Sequence, residues 1–340
     1  MRPIIILSLL GIVLLSCGEK LPLPTDVRDD DGGRLTDTTM APVLPHWTAA
    51  DGIPFVRPFG VTVGYDRTIY ICDTGNDRIV RLTPNGEFIE SYPIPQPHAV
   101  AQDRAFSLAA VNSTPQIWLR RATGGGFAPF AELDSTYRCA SQPNAPPICY
   151  WDVPRFESIT STLDANKSVF YAVAVGRIYV MLGDFLEPTP QGILYPVVDS
   201  GGAFGDVYNP TGVAFGIVRD QRRLFVAQYP GIYGVQYLAL PEYLPALPDS
   251  GQDVFRMPLV DTKYLAVDEQ GNVFVLHRAN GLVMMFDKDG QYVLTFGRKS
   301  ADDLGLFDPC GIACYDDMVL IADTKNNRIA RYQLTAVPQN

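Results

Sequence analysis

The chain has 340 residues, with 37 acidic side chains against 27 basic ones and a formal net charge of −10. That balance argues against nucleic acid as a partner, because a phosphate-binding surface needs clustered Lys and Arg and the doublets Arg120-Arg121 and Arg222-Arg223 stand isolated. Neutral sugars, peptides and other proteins stay open, and the roughly 300 residues beyond the N-terminal region are enough to bury one large core.

Residues 1–16 carry one cation, Arg2, then an apolar run from Ile4 to Leu15 and the small Ser16. The run is shorter than the roughly 20 residues a spanning helix needs, so it reads as a signal peptide and is set aside from the fold. Leu14-Leu15-Ser16-Cys17 resembles the bacterial lipobox, with Leu15 bulkier than the usual residue at its place. The resemblance implies that Cys17 becomes a lipidated N-terminus in the bacterial cell envelope; an ordinary secretory signal is the alternative. Gly18 stands where an aspartate would favour inner-membrane retention, which points to the outer membrane, on its periplasmic side or at the surface. Residues 17–40 are polar, with Pro22, Pro24 and the run Arg28-Asp29-Asp30-Asp31-Gly32-Gly33, too poor in apolar residues to fold alone. They form a flexible tether able to hold the body about a few tens of ångströms from the bilayer. The three aspartates lack the spaced ligands and closing Glu of a calcium loop and read as solvated linker.

Residues 41–340 form the folded body. Ile69 to Ile79 and Val319 to Ile329 repeat one pattern: an apolar run, a polar turn with Asp and Asn at fixed places, and Arg-Ile opening a second run. Val273 to Val283 follows in the same register, keeping Asn280 but carrying His277 for Asp, and Leu224 to Gly234 keeps the outline. Val169–Ala172 with Arg177–Val180, and Phe106–Ala109 with Gln116–Leu119, complete six hairpins. Pro58-Phe59-Gly60, Pro97-His98-Ala99, Pro210-Thr211-Gly212 and Pro309-Cys310-Gly311 precede four of them. Proline cannot donate to a central ladder and so marks a strand's first residue, and glycine lets the backbone crowd its neighbours. Pro84-Asn85-Gly86 and Asp287-Lys288-Asp289-Gly290 turn the chain into a fourth strand. Four antiparallel strands about every 50 residues make a β-propeller blade, so the fold class is all-β, a six-bladed β-propeller. The last blade lacks its outermost strand, and Ala41 to Ala49, including Trp47, precedes the first blade with no partner. This N-terminal segment is expected to pair beside Ile329 to Leu334, which leaves no sheet edge open.

The hairpin pattern resembles the NHL repeat, an apolar strand followed by Asp, two residues, Asn, one residue and Arg-Ile. The resemblance covers about residues 42 to 334 and implies a propeller, not one function. Asp73, Asn76 and Arg78, with Asp323, Asn326 and Arg328, are read as structural: Asp and Asn bond their own turn, and the Arg fork pairs with the Asp across the hairpin.

Superposed blades would place the residue between Pro and Gly in an axial funnel: Phe59, His98, Thr211 and Cys310, with Phe156 and Thr262 for the two weaker blades. Pro97-His98-Ala99 resembles the peptidyl-hydroxyglycine lyases, propellers that hold zinc with histidines from several blades. Only His46, His98 and His277 exist here, and His46 and His277 fall in the closing segment and a hairpin turn, so that three-ligand site is not expected. Lactonase and gluconolactonase propellers hold calcium with Glu, Asn and Asp; Glu157 and Asp268 fall near inner strands without a motif tying them to an Asn. No Gly-x-Ser-x-Gly occurs and no histidine has an evident partner. Contact surfaces are suggested by Tyr229, Ile232 and Tyr233, which replace a polar turn with aromatics, and by the Pro-rich insertion around Tyr243. Cys139 and Cys149 flank a Pro-rich loop and are expected to close it as a disulfide, whereas Cys310 and Cys314, about 13 Å apart in an extended strand, are expected with Cys72 as buried thiols. Cys72 with Cys314 stays open.

The reading is therefore a non-catalytic binding or scaffold module needing no cofactor and no metal, displayed on a lipid tether to a protein or envelope-polymer partner. The alternative is a metal-dependent hydrolase or lyase that uses the axial funnel.

Overall fold

The computed structural model describes residues 38–142, 145–162, 168–174, 176–183, 193–198, 210–228, 234–240, 252–255 and 262–336. Within them the hairpins become six four-stranded antiparallel sheets, each meandering outward from a central axis. Blade 1 comprises Pro58–Val63, Ile69–Asp73, Arg78–Leu82 and Phe88–Pro93; blade 2 Ala99–Gln102, Leu108–Val111, Gln116–Arg120 and Ala128–Glu132. Blade 3 comprises Phe156–Ser161, Ser168–Ala174, Arg177–Gly183 and Ile193–Val198; blade 4 Pro210–Val218, Gln221–Gln228, Val235–Ala239 and Gln252–Phe255. Blade 5 comprises Thr262–Val267, Val273–His277, Leu282–Phe286 and Tyr292–Phe296; blade 6 is built from Gly311–Tyr315, Met318–Asp323, Arg328–Ala336 and the N-terminal Thr38–Pro42. Each inner strand neighbours the next and the sixth returns to the first, so the ring is a closed six-bladed propeller.

The second strand of each blade explains why the sequence shows continuous apolar runs rather than alternation. Ile69–Asp73 is buried on both faces. Ile69 and Ile71 pack with Leu320 and Ala322 of blade 6, while Tyr70 and Cys72 pack with Leu108 and Ala110 of blade 2. A two-sided strand has no solvent face to carry polar residues. Corresponding clusters fill the other clefts between neighbouring blades. Each fully buried Ile or Leu in them contributes about 1.5–3 kcal/mol.

Hairpin turns couple one blade to the next. After Asp73 and Asp323 the chain makes a single 3-10 turn, Thr74–Asn76 or Thr324–Asn326, and then enters the left-handed region at Asp77 (φ 52°) or Asn327 (φ 53°). Asp73 Oδ1 accepts the Val56 amide at 2.8 Å, and its Oδ2 accepts Asn76 Nδ2 and Arg78 Nε, each at 2.8 Å. Asp323 repeats the set with Phe307 N at 2.6 Å, Asn326 Nδ2 at 2.7 Å and Arg328 Nε at 2.8 Å. Thr74 Oγ1 donates to Pro97 O at 2.6 Å, and Thr324 Oγ1 to Pro58 O at 2.8 Å, so each turn latches onto the proline that opens the following blade. The left-handed residue adds a second latch: Asp77 accepts Gln96 N, and Asn327 accepts Arg57 N.

Closure follows the expected pairing and extends it. Thr38–Pro42 runs antiparallel to the last strand with Met40 opposite Leu334 and Pro42 opposite Tyr332, and Trp47 forms a further bridge with Ile329. The closing strand thus starts at Thr38, inside the stretch assigned to the tether, because its ladder reaches Ala336. His46 Nε2 donates to Asp303 O at 2.8 Å while Nδ1 accepts Arg331 N at 3.3 Å, and the Arg331 guanidinium lies 5.1 Å from the Trp47 ring centroid.

Two short hairpins lie outside the blades, Ala49–Ala50 with Ile53–Pro54, and Thr136–Gln142 with Ala145–Asp152. The second corrects the Pro-rich loop reading: both arms are strands, and Cys139 stands opposite Cys149 in their ladder. The side chains of both cysteines lie outside the described residues. Cys72, Cys310 and Cys314 are free thiols, and Cys310 precedes its strand rather than lying in it. Cys17 with residues 1–37, the candidate contact residues Tyr229, Ile232, Tyr233 and Tyr243, and the Thr262 side chain are likewise outside the described residues.

Candidate functional site: the axial channel

The six inner strands enclose a cavity of 690 Å³ along the ring axis. A β-bulge opens the inner strand of blades 1, 3, 4 and 5 and takes Phe59-Gly60, Glu157, Thr211 and Lys263 out of the ladder. The bulge corrects the expected ring by one residue in the two weaker blades. Phe156 pairs with Ala174 and Thr262 with His277, as Pro58 pairs with Asp73, so both occupy the proline position of the motif. Phe156 accordingly packs in the core, edge-on to Tyr179 at 6.1 Å. Its neighbour Glu157, and Lys263 beside Thr262, line the channel. The ring at this mouth is therefore Phe59, His98, Glu157, Thr211, Lys263 and Cys310; His98 and Cys310 line the cavity, while Phe59 stands at its rim and Thr211 opens its strand outside the lining.

The glycine of the motif answers to a contact from the adjoining blade. A Cβ on Gly60 would stand 2.4 Å from His98 O, one on Gly212 1.9 Å from Lys263 O, and one on Gly311 2.6 Å from Phe59 O. Ring carbonyls of one blade press on the glycine of its neighbour, a distance no side chain tolerates.

At the mouth the reactive groups are engaged with one another. The His98 ring stacks on Phe59 with centroids 4.4 Å apart and 15° between planes, and Phe59 meets Tyr264 edge-on at 6.0 Å. Ser113 Oγ lies 2.7 Å from His98 Nδ1, held there by a left-handed backbone (φ 58°) in the second hairpin of blade 2. Burial lowers the His98 pKa; Glu157 opposes that shift and Arg57 adds to it. Lys263 Nζ reaches Glu157 Oε2 at 3.4 Å, pairing blade 5 with blade 3. Arg278 Nε donates to Asp308 Oδ1 at 2.5 Å. The Cys310 thiol donates to Asp308 O at 3.3 Å, and burial pushes its pKa up; burial pushes the Cys314 thiol and the Tyr264 hydroxyl well above their ordinary values. A thiol held protonated is a poor nucleophile.

Glu157 stands at the start of its inner strand, whereas Asp268 follows the end of another, at the opposite mouth. Asp268 is occupied by its own turn, accepting Gln270 N at 3.0 Å, Asn272 N at 2.8 Å and Asn272 Nδ2 at 2.8 Å. His46 serves the closing segment, and His277 ends the second strand of blade 5. Among the described residues no three His, Cys, Asp or Glu side chains gather as a metal-binding set. The opposite mouth is spanned by Arg67, whose Nη2 donates to Asp316 Oδ1 at 2.6 Å and whose Nη1 lies 3.8 Å from Glu269.

Ser113, Lys263 and Tyr264 were missed from sequence. Ser113 reaches His98 only once the blade 2 hairpin folds over, and Lys263 and Tyr264 follow a strand start that lacks the Pro-x-Gly signal.

No protein-family model and no curated protein matches the chain. Solved structures do resemble it. An auxiliary nutrient binding protein from Bacteroides thetaiotaomicron is 11% identical, with 82% of this chain and 69% of that one covered and a TM-score of 0.58. Regucalcin, a calcium-binding protein from Agrobacterium tumefaciens, is 12% identical over 83% of this chain and 91% of that one, with a TM-score of 0.54. A gluconolactonase from Xanthomonas campestris is 16% identical over 89% and 91%, with a TM-score of 0.52. At such identities the likeness shows the propeller fold, shared by binding proteins and enzymes alike.

Proposed function

We propose that the chain is a non-catalytic binding propeller of the NHL type, lipidated at Cys17 and displayed on its tether in the bacterial envelope, where it takes hold of a protein or envelope-polymer partner. The observation that carries this reading is the pairing-off of the channel mouth: His98 with Phe59 and Ser113, Glu157 with Lys263, Arg278 with Asp308. Acid–base or nucleophilic work needs a group with its proton acceptor in place and its reacting face open. Ser113 has its acceptor in place on His98 but does not line the channel, and the Glu157–Lys263 and Arg278–Asp308 ion pairs hold one another, which suits a rigid rim. The nutrient-binding neighbour is compatible with this use of the ring, and the gluconolactonase neighbour with the enzymatic alternative.

The test is affinity capture from detergent-solubilised membranes, with metal analysis of the purified protein alongside. The reading expects a partner that co-purifies at fixed ratio, less than stoichiometric zinc or calcium, and loss of the membrane fraction in Cys17→Ala. Stoichiometric metal, together with lactone hydrolysis or lyase turnover abolished by His98→Ala, would overturn it in favour of the enzyme.

A further inference from the structure

On the face opposite the His98 mouth, between blades 1 and 2, a second cavity of 330 Å³ is bordered by Asp66, Arg81, Glu90, Phe106 and Arg120, with Gln102 shared with the channel wall. Most of its charges are spent. Arg81 uses Nε on Thr68 Oγ1 at 3.0 Å, Nη1 on Glu90 Oε1 at 2.7 Å and Nη2 on Asp66 Oδ2 at 2.8 Å. The other Asp66 oxygen takes Thr68 N and Oγ1. Gln102 donates Nε2 to Asp66 Oδ2 at 3.1 Å and to the Tyr70 hydroxyl at 3.0 Å. Arg120 is the exception: its guanidinium lies 4.4 Å from the Tyr92 ring centroid, and its Nε is buried with no acceptor. A guanidinium that borders a cavity and is hydrogen-bonded to no carboxylate leaves its outer N–H groups to an anion.

Phe106 makes the second wall. It is 50% exposed and sits at φ 64°, a conformation bulky residues avoid. The fold does not demand a phenylalanine, since the equivalent turn of blade 5, where Gly271 N donates to Asp268 O as Phe106 N does to Asp103 O, has glycine. A large ring is thus held at the rim of a cavity bordered by a guanidinium that stacks on Tyr92 and feels the Glu90 charge but is hydrogen-bonded to neither.

We propose that this cavity binds a small aromatic monocarboxylate, its carboxylate on Arg120 and its ring against Phe106. A single planar guanidinium near the acids Asp66 and Glu90 suits a monoanion better than a phosphate dianion. Polar wall groups already bonded to one another leave few partners for sugar hydroxyls, which favours an apolar ring. The volume holds about one ring and its substituent. The site is independent of the partner reading above.

The test is calorimetric or ligand-observed NMR titration of the purified mature protein with benzoate, against benzyl alcohol, phenylphosphonate and glucuronate. Saturable benzoate binding is expected, at least about tenfold tighter than each of the other three. Arg120→Met, which keeps a stem over Tyr92, should weaken benzoate by a similar factor, Arg120→Lys by less, and Phe106→Ser should weaken it without moving the melting temperature. Phe106→Ser carries the test if Arg120→Met does not fold. The proposal is overturned by no saturation at about 20 mM benzoate. It is equally overturned by benzyl alcohol, phenylphosphonate or glucuronate matching benzoate, or by benzoate affinity unchanged in a folded Arg120→Met or Phe106→Ser protein.

Discussion

Asp73→Ala tests the structural reading of the repeat. The Asp73 carboxylate is wholly buried and takes three donors, Val56 N, Asn76 Nδ2 and Arg78 Nε, while the Arg78 side chain is only 10% exposed. Alanine strands the Val56 amide, leaves Asn76 Nδ2 with its bond to Pro54 O at 2.9 Å, and leaves the guanidinium only a long contact to Ile53 O at 3.4 Å. Removing one partner of a buried ion pair costs about 3–5 kcal/mol, most of it the penalty of the charge left behind. For a body of about 300 residues, at about 2 °C per kcal/mol, this corresponds to a melting temperature lowered by about 6–10 °C. Differential scanning calorimetry reads it directly. Adding Arg78→Met should restore part of the loss, since the stranded charge goes too, so the double variant should be less damaged than the sum of the two singles. Asp323→Ala should cost less than Asp73→Ala, because Arg328 keeps Asp303 Oδ1 at 3.0 Å and the carbonyls of Asp302 and Gly305 at 2.6 and 2.8 Å. A melting temperature within about 1 °C of the wild type would refute this account of the turn.

Three further outcomes follow from the geometry. Thr74→Val keeps the shape of a buried side chain but deletes its bond to Pro97 O, and should cost about 1–2 kcal/mol in urea unfolding; no change in midpoint would remove the blade-to-blade latch. His98 and His46 both have pKa values lowered by burial from 6.5. The unfolded chain therefore binds protons that the fold resists, and the stabilisation, complete above pH 6.5, is lost as pH falls from there through the folded values. Urea midpoints should drop between pH 7.5 and 5.5, and less steeply in His98→Gln; an identical slope would place the titration elsewhere. The ladder register of Cys139 and Cys149 lets a disulfide close a short hairpin, a constraint worth about 2–3 kcal/mol. Non-reducing peptide mapping of the protein purified under oxidising conditions should recover the linked pair, and free thiols at both positions would exclude it.

The repeat was legible because a two-sided strand writes itself as an apolar run, and a turn that must bond its own backbone writes itself as Asp, Asn and Arg at fixed spacing. Those local demands sufficed for the number of blades, the strand starts at Pro58 and Pro210, and the borrowed closing strand, since six hairpins cannot close without a partner for Arg328–Ala336. Pairings made across blades were not legible. Phe156 and Thr262 fall one residue off the axis because the strand starts of blades 3 and 5 lack the Pro-x-Gly mark that fixes the phase of the bulge in blades 1 and 4. The Ser113–His98 contact, the Glu157–Lys263 bridge and the orphaned Arg120 Nε depend on which side chains the ring turns toward each other. Local chemistry along the chain determined the architecture of this protein; the arrangement around its cavities was decided only when strands remote in sequence were packed, because a side chain's partners there come from other blades.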